Sequence, residues 1–422
     1  MPRDRHGGTR RRDFLIQDYD VDAIRSEFPI LQTQVRGKPL VFLDTAASAQ
    51  KPRVVIEAIQ ELYEHHYANI HRGVYQLSAE STKRYEGARD TVQNFIGASD
   101  RREIVFVRNA TEAINLVAHT WAEQNLQAND EILITALEHH ANIVPWQMLG
   151  NRKGTQLRVA PINERGELIL EEFAQLLNER TRLVAVTQVS NALGTILPLA
   201  EMIALAKERG VKVLVDGAQA IPHMPVDVTH LDCDFYVFSG HKLLGPSGIG
   251  VLYGKLPLLE SMPPFLGGGD MIESVTFEKS TYAPPPARFE AGTPDIAGAV
   301  GLDAAIRYLQ QIGVDRVEKW EHGLLDYATD QLSEIDGLRF IGTAEKKSAV
   351  VSFVLEGVHA HDVGTALDQA GVAVRVGHHC AQPVMEIFGV PATVRASFAL
   401  YNTMSEVDLL VNAVKETIEV FR

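Results

Sequence analysis

The sequence predicts an α/β protein in which a large domain, built on a mostly parallel seven-stranded sheet, is joined to a smaller α+β domain. Seven short apolar runs between residues 104 and 252 are rich in β-branched side chains and alternate with helical patterns, which is typical of a sheet covered on both faces. A stretch rich in glycine and proline, 263–286, then interrupts the pattern and predicts an extended loop. After Gly337, strand-like runs again alternate with helices, which indicates a second unit.

The individual elements follow from hydrophobic periodicity and from the residues that begin and end helices. We expect strands at 41–44, 104–107, 132–135, 157–160, 183–186, 211–215, 235–238, 249–252, 350–355, 372–376 and 394–398. We expect helices at 21–28, 52–65, 78–95, 143–149, 170–177, 199–209, 297–311, 314–332, 362–370 and 405–420, with another beginning at Thr111. The resulting division is a basic flexible tail (1–20), a large domain (37–296), and a small domain with bridging helices (21–36 and 297–422).

Composition and charge exclude several classes of function. The formal net charge of −14 argues against broad binding to nucleic acid or to anionic membranes, and no apolar run approaches the roughly 18 residues that span a bilayer. The basic start, 1–12, lacks the apolar core of a secretory signal. Only two cysteines occur, Cys380 and Cys233, and we expect the second, at a strand start, to be a packing residue. Two cysteines are too few for a disulfide framework and are typical of the reducing cytoplasm.

The most informative stretch is an apolar run, 236–238, that stops abruptly at Ser239-Gly240-His241-Lys242 and is followed by a glycine-rich loop, 245–250. A lysine at the end of a buried strand is costly unless it has a partner or a task. One such task is a Schiff base with a carbonyl cofactor, with nearby hydroxyl, imidazole and backbone N–H groups holding a phosphate. Taken alone, the stretch fits a surface lysine on a turn equally well.

Other polar residues follow strands of the same sheet, and open α/β sheets bind ligands outside the carboxyl ends of their strands. Thr111 begins a helix whose N-terminus could accept a phosphate, or it could be a plain helix cap. Asp216 could bind a protonated pyridine nitrogen, or it could be a turn residue or a metal ligand. An imidazole of the His139-His140 pair could stack on a flat cofactor or be structural, and Asn191 could bind a ring hydroxyl.

The second domain contributes a thiol and an arginine. Cys380 follows a predicted strand, and Arg375, His378 and His379 flank it, which favours the reactive thiolate. A buried inert cysteine and a zinc ligand are the alternatives, and the zinc pattern is weak because no second cysteine is near. Arg395 lies on a predicted strand and suits a bidentate grip on a carboxylate.

Taken together, these motifs resemble the fold-type I pyridoxal-phosphate enzymes of the class V aminotransferase family, and more closely the SufS-type (group II) cysteine desulfurases, which are related to selenocysteine lyases. The resemblance covers nearly the whole chain except the basic tail. It rests on RNATEAIN at 108–115, EHHANIVPW at 138–146, DGAQ at 216–219, SGHK at 239–242, AGTP at 291–294 and RVGHHCA at 375–381, the last being the group II signature. Asn109-Ala110 departs from the small or hydroxyl residues of many relatives.

The resemblance implies pyridoxal 5′-phosphate as the cofactor, no metal, and a shared site in a homodimer. The residues that would hold the cofactor are Lys242, Asp216, His139, Gln219, Thr111, Ser239, His241, Asn191 and, from the other subunit, Thr293. Those that would hold the substrate are Arg395, Asn191, Arg375 and, from the other subunit, His71 and Arg72. The catalytic residues would be Lys242, which moves the Cα proton, His139, which stacks on the ring, and Cys380, which accepts the sulfur.

The implied reaction converts L-cysteine into L-alanine and leaves a persulfide on Cys380. The sulfur would pass to an acceptor protein of the SufE or SufU kind and supply iron–sulfur cluster assembly. Selenocysteine lyase, or an enzyme with both substrates, is the nearest alternative because it needs the same lysine, arginine and cysteine. A transaminase or other class V lyase would not need the thiol. A non-catalytic scaffold that binds metal through 378–380 would not need Lys242 or Asp216.

Overall fold

The structure, a computed structural model, describes residues 19–421. The predicted basic tail, 1–20, lies outside the described residues except for its last two. The helices are α1 Val21–Ser26, α2 Arg53–Glu61, α3 Gln76–Phe95, α4 Ala110–Val117, α5 Glu123–Asn125, α6 Val144–Lys153, α7 Leu170–Leu176, α8 Leu199–Glu208, α9 Val228–Leu231, α10 Leu256–Ser261, α11 Ile296–Ile312, α12 Val314–Ser333, α13 Ala360–Gln369, α14 Gln382–Ile387 and α15 Met404–Phe421. The strands are β1 Gln34–Val35, β2 Lys38–Pro39, β3 Val41–Phe42, β4 Ile104–Val107, β5 Glu131–Thr135, β6 Gln156–Ala160, β7 Thr181–Thr187, β8 Lys212–Asp216, β9 Phe235–Ser239, β10 Gly250–Gly254, β11 Ile272–Val275, β12 Ser280–Tyr282, β13 Leu338–Phe340, β14 Val350–Leu355, β15 Val372–Ala373, β16 Arg375–Gly377 and β17 Thr393–Ser397.

The large sheet has seven strands in the order β4-β10-β9-β8-β7-β5-β6. Its neighbouring strands pair in parallel except for β10, which is antiparallel to both β9 and β4. Every residue of β9 is buried, and two apolar clusters fill the space between the sheet and its helices. Because both faces of the sheet are covered, its strands are continuous apolar runs, and the predicted mostly parallel seven-stranded sheet is confirmed.

A second sheet has four antiparallel strands in the order β13-β14-β17-β16. The predicted single strand 372–376 is wrong in one respect, because β15 leaves this sheet and pairs in parallel with β3. The segment after β3 first contacts the second sheet, where Asp44 bridges to Ser397. It then contacts the turn after β9 of the large sheet, where Ala49 N donates to the His241 carbonyl. Helix α11 packs against α2 and α3, and α12 packs against α15 and β14.

Two other sequence-based expectations need correction. The stretch 263–286, predicted as an extended loop, contains the hairpin β11–β12, whose strands are exposed and therefore carry little of the apolar alternation that reveals a strand. The helix expected to begin at Thr111 begins one residue earlier, at Ala110. Among residues 19–421, the helices are too short or too polar to cross a membrane.

Candidate active site

The carboxyl ends of the parallel strands open into a cleft with a cavity volume of about 190 Å³. The sequence-predicted residues that line it are Thr111, His139, Asn191, Asp216, Gln219, Ser239, His241, Lys242, Arg375, Cys380 and Arg395. The three residues predicted to act from another subunit lie elsewhere: His71 and Arg72 line one separate cavity, and Thr293 lines another. The cleft therefore combines strand ends of the large sheet with residues of the second sheet.

Lys242 and Asp216 stand at the ends of neighbouring strands, β9 and β8. Burial lowers the pKa of the Lys242 amine to about 8, while the Asp216 carboxylate acts in the opposite direction. Burial raises the pKa of Asp216, whose Oδ1 accepts a hydrogen bond from Ala218 N at 3.0 Å. A Cβ on Gly217 would lie 2.0 Å from the Tyr236 hydroxyl, so glycine leaves room for the Tyr236 side chain directly after β8. Lys242 lines the cleft, and the alternative of a surface lysine is wrong.

The N-terminus of α4 lines the cleft beside the end of β9. Thr111 is not its cap, because Asn109 Oδ1 accepts from Glu112 N at 2.9 Å. Ser239 Oγ accepts from Ala110 N at 2.9 Å. These two acceptors bind the N–H groups on either side of Thr111. Within residues 19–421, the Thr111 N–H and hydroxyl therefore remain available to a ligand. The departure at Asn109 is thus a capping residue, and the helix end and two hydroxyls suit an anion.

His139 lies in the cleft wall after β5 and is held in place by its own backbone. Its Nδ1 accepts from Ala141 N at 3.0 Å, which leaves Nε2 to carry the proton of the neutral ring. Burial, and then the charge of Lys242, lower the pKa of His139 to about 3, so the ring is neutral near pH 7. A flat, neutral imidazole suits stacking on an aromatic ring.

Glu138 is a buried residue beside the cleft that the sequence argument did not single out. Its carboxyl group accepts from Thr135 Oγ1 at 2.6 Å, Asn142 Nδ2 at 2.7 Å and Thr187 N at 3.1 Å. Burial raises its pKa to about 7. Glu138 therefore ties β5 to β7 directly behind His139. The one sequence feature that could have identified Glu138 is its position directly before His139 in the motif at 138–146.

Arg395 lies in the middle of β17 and is almost fully buried, with 1% of its surface exposed. Its Nη1 donates to the Asn191 carbonyl at 2.8 Å and its Nη2 donates to Asp44 Oδ1 at 2.9 Å. Asp44 follows β3 and was not among the predicted site residues. Arg395 Nε and Asn191 Oδ1 are buried and have no partner among the described residues. Buried polar atoms without partners are costly, so these two atoms indicate a ligand.

Cys380 lies on a tight turn between β16 and α14. Its φ of 57° and the φ of 55° at His379 are both left-handed, a strained conformation for residues other than glycine. His140 spans the turn, because its N–H donates to the Cys380 carbonyl at 2.7 Å and its Nε2 accepts from Gln382 N at 3.1 Å. Cys233, in contrast, is fully buried, and burial raises the pKa of its thiol to about 12, as expected of a packing residue.

Replacement of His140 by alanine is expected to loosen the Cys380 turn. The Gln382 N–H loses its acceptor, and the strained turn loses one of its two links to the His140 segment. We expect alkylation of Cys380 by iodoacetamide to become about threefold faster and turnover to fall about tenfold, the effect of about 1.4 kcal/mol of lost positioning. His140→Gln, which keeps an acceptor, should recover part of the turnover. Unchanged alkylation and turnover in His140→Ala would show that His140 has no positioning role.

The cofactor implied by the sequence resemblance fits the side chains of the cleft. An amine can bind its carbonyl carbon, a carboxylate can bind its ring nitrogen, an imidazole can lie on its ring, and the N-terminus of α4 can hold its phosphate. The partnerless Asn191 Oδ1 and Arg395 Nε supply further polar atoms for a bound ligand. No cluster of three His, Cys, Asp or Glu side chains placed to bind a metal is found among residues 19–421.

Comparison with known proteins identifies the family. The sequence family described as "Aminotransferase class-V" matches residues 41–410. The chain is 55% identical over 401 residues to a probable cysteine desulfurase of Mycolicibacterium paratuberculosis, which covers 95% of this chain and 58% of that protein. It is 54% identical over 394 residues to a cysteine desulfurase of Salmonella agona, which covers 93% of this chain and 97% of that protein.

A solved structure shows the same architecture. The crystal structure of the cysteine desulfurase CsdA (S-sulfonic acid) from Escherichia coli matches with a TM-score of 0.90 and 42% sequence identity, covering 96% of this chain and 100% of that one. Several of the most similar curated relatives are longer proteins, and this chain spans 58% to 66% of their length.

Proposed function

The chain belongs to the class V aminotransferase family, whose members depend on pyridoxal phosphate, and from that premise we propose that it is a cysteine desulfurase of the SufS type. It would convert L-cysteine into L-alanine and leave the sulfur as a persulfide on Cys380. The observation that carries the proposal is the presence of Lys242 and Cys380 in one cleft. An amine and a thiol in the same cleft match a reaction that first activates an amino acid and then takes its sulfur. A transaminase has no use for the thiol.

Bound pyridoxal phosphate supplies a carbonyl that captures amines and a ring that takes up the electrons released at the substrate Cα. Lys242 Nζ would hold the carbonyl carbon, and the Asp216 carboxylate would hold the proton on the ring nitrogen. His139 would lie on the ring face. The residues that would hold the phosphate are Thr111, Ser239 and His241, and those near the ring oxygen are Gln219 and Asn191.

The reaction then uses protein groups of known position. The Arg395 guanidinium, with Arg375 beside it on β16, would bind the substrate carboxylate. Lys242 Nζ, with a pKa of about 8, is partly neutral near pH 7 and would take the Cα proton. The Cys380 thiolate would attack the substrate sulfur. The substrate C–S bond would break with its electron pair on Cβ as the S–S bond forms. Cβ would take the proton of the substrate thiol and Lys242 would return its proton to Cα, so alanine leaves and Cys380 keeps the sulfur as a persulfide anion.

The proposal is tested by incubating the purified, cofactor-loaded protein with L-cysteine. We expect L-alanine and persulfide sulfur in equal amounts, with the sulfur appearing as sulfide when a thiol reductant is added. The protein should be yellow, and borohydride should remove the colour by reducing the bond to Lys242. Alanine without sulfide, a keto acid instead of alanine, or a colourless protein that cannot be loaded would each contradict the proposal. Selenocysteine in place of cysteine distinguishes the related lyase.

We also propose that the protein works as a homodimer. His71 pairs with Glu86 at 3.0 Å and Arg72 with Asp270 at 3.1 Å, and Thr293 lines a third cavity, all away from this chain's own cleft. Family resemblance would bring the three residues to the partner's cleft. A protein that sediments as a monomer while active would contradict this arrangement.

The persulfide would pass to an acceptor of the SufE or SufU kind in the cytoplasm and feed iron–sulfur cluster assembly.

A further inference from the structure

Lys51 lies behind the phosphate end of the cleft and has no role in the reaction described above. Its Nζ donates hydrogen bonds to the carbonyl oxygens of His241, at 3.0 Å, and of Ala49. Burial lowers its pKa to about 8, and no carboxylate in the described part of the chain offsets that shift. An ammonium has three donors, so one N–H remains available. Lys51 thus has two carbonyl acceptors and no carboxylate partner among the described residues, so an anion bound on the cleft side of His241 would stabilise its charge.

The backbone around Lys51 is attached to the turn that carries Lys242. The His241 carbonyl also accepts from Ala49 N at 3.1 Å and from Ser48 Oγ at 3.3 Å. The Ser48 hydroxyl lies 3.2 Å from His241 Nδ1 as well. The peptide bond directly before Lys242 is therefore fixed from behind by the segment 48–51. Lys51 supplies the one charged donor of that segment.

Apart from the Lys242 amine, the groups that line this end of the cleft offer a phosphate little positive charge. Thr111 and Ser239 are neutral, and burial together with the charges of Lys242 and Lys51 lowers the pKa of His241 to about 4. His241 is consequently neutral near pH 7, when a phosphate monoester carries nearly two negative charges. The partial positive charge at the N-terminus of α4 offsets only a part of these charges. Lys51 Nζ lies 3.0 Å from the carbonyl oxygen of His241, which lines the cleft, so its charge lies close to the cleft wall.

We propose that Lys51 is a positioning residue for the cofactor phosphate, which its ammonium attracts through the His241 side of the cleft while its hydrogen bonds fix the His241–Lys242 turn. The inference rests on the proposed pyridoxal-phosphate chemistry. It predicts that loss of the Lys51 charge weakens binding of the phosphate group specifically. Recognition of the pyridine ring and the carbonyl is unchanged, because Ala49 N and Ser48 Oγ continue to hold the His241 carbonyl before Lys242.

The test compares pyridoxal phosphate with pyridoxal, which has the same ring and carbonyl and lacks the phosphate. Cofactor-free protein is titrated with each compound, and the absorbance of the bound compound gives the dissociation constant. We expect Lys51→Met to weaken binding of pyridoxal phosphate about tenfold and to leave binding of pyridoxal within about twofold of wild type. The ratio of the two constants cancels any general loss of folded protein.

Two further variants separate charge from packing. Lys51→Arg keeps the charge and should preserve the ratio within about threefold of wild type. Lys347→Met is the matched control, because burial also lowers the pKa of Lys347 to about 8 and its Nζ also donates to a carbonyl, that of Gly342 at 2.7 Å, away from the cleft. The inference would be overturned if Lys51→Met weakened the binding of both compounds equally. It would also be overturned if the ratio of the two dissociation constants in Lys51→Arg differed from wild type as much as it does in Lys51→Met. Failure of wild type to bind pyridoxal phosphate would instead overturn the proposed function.

Discussion

Replacement of Cys380 by alanine is expected to lower the release of sulfur from L-cysteine by about 10³-fold or more, because among residues 19–421 no other thiol lines the cleft. The cofactor should remain bound, since its amine, carboxylate and anion-binding groups lie on the large sheet. Alanine formation and the mass of the protein after reaction are the measurements. Wild type should gain one sulfur on the peptide that contains Cys380, and the variant should gain none.

The chain offers a matched control for this substitution. Cys233→Ala removes the other cysteine, which is fully buried and has a raised pKa, so turnover should stay within about twofold of wild type while stability falls by about 1 kcal/mol. If Cys380→Ala kept full release of sulfur from cysteine, the thiol would not be the acceptor. Loss of sulfur release with retained release of selenium from selenocysteine would identify an enzyme that acts on both substrates.

Most of the cleft could be predicted from the sequence because of a topological rule. Asp216 and Ser239 directly follow apolar runs and His139 lies four residues after β5, and the carboxyl ends of parallel strands meet at one edge of a sheet. The apolar runs themselves were recognisable because both faces of the sheet are buried. The same reasoning fails for the exposed hairpin β11–β12, whose side chains give no apolar alternation.

The residues that sequence reasoning missed act through contacts between distant parts of the chain. Asp44 binds Arg395 across 351 positions, and Lys51 binds the His241 carbonyl across 190. No local period or spacing records such a pairing. The cap of α4 is a different case, because both Asn109 and Thr111 are competent caps and only the backbone geometry decides between them. Glu138 was missed because a buried carboxyl beside a predicted site residue has no signature of its own.

Replacement of Lys242 by alanine is expected to lower turnover by about 10³-fold or more, since the same amine holds the cofactor and moves the Cα proton. Borohydride reduction followed by mass measurement should attach the cofactor to the Lys242 peptide in wild type and leave the variant unlabelled. Lys347→Met, a partly buried lysine outside the cleft, should be labelled and active like wild type. Label on another lysine of wild type would remove Lys242 from its proposed role.

The lowered pKa of Lys242 gives this assignment a pH dependence whose sign is fixed. Only the neutral amine attacks a carbonyl, and a pKa of about 8 means that this form grows as the pH rises toward and through 8. Loading of cofactor-free protein should therefore accelerate by about tenfold from pH 6 to pH 7 and level off above about pH 8, about two pH units below the plateau of an ordinary exposed lysine. Asp216 and Arg395 act on Lys242 with opposite signs, so Arg395→Met should move the plateau to higher pH. A loading rate that kept rising through pH 10 would show that the amine is not desolvated by the cleft.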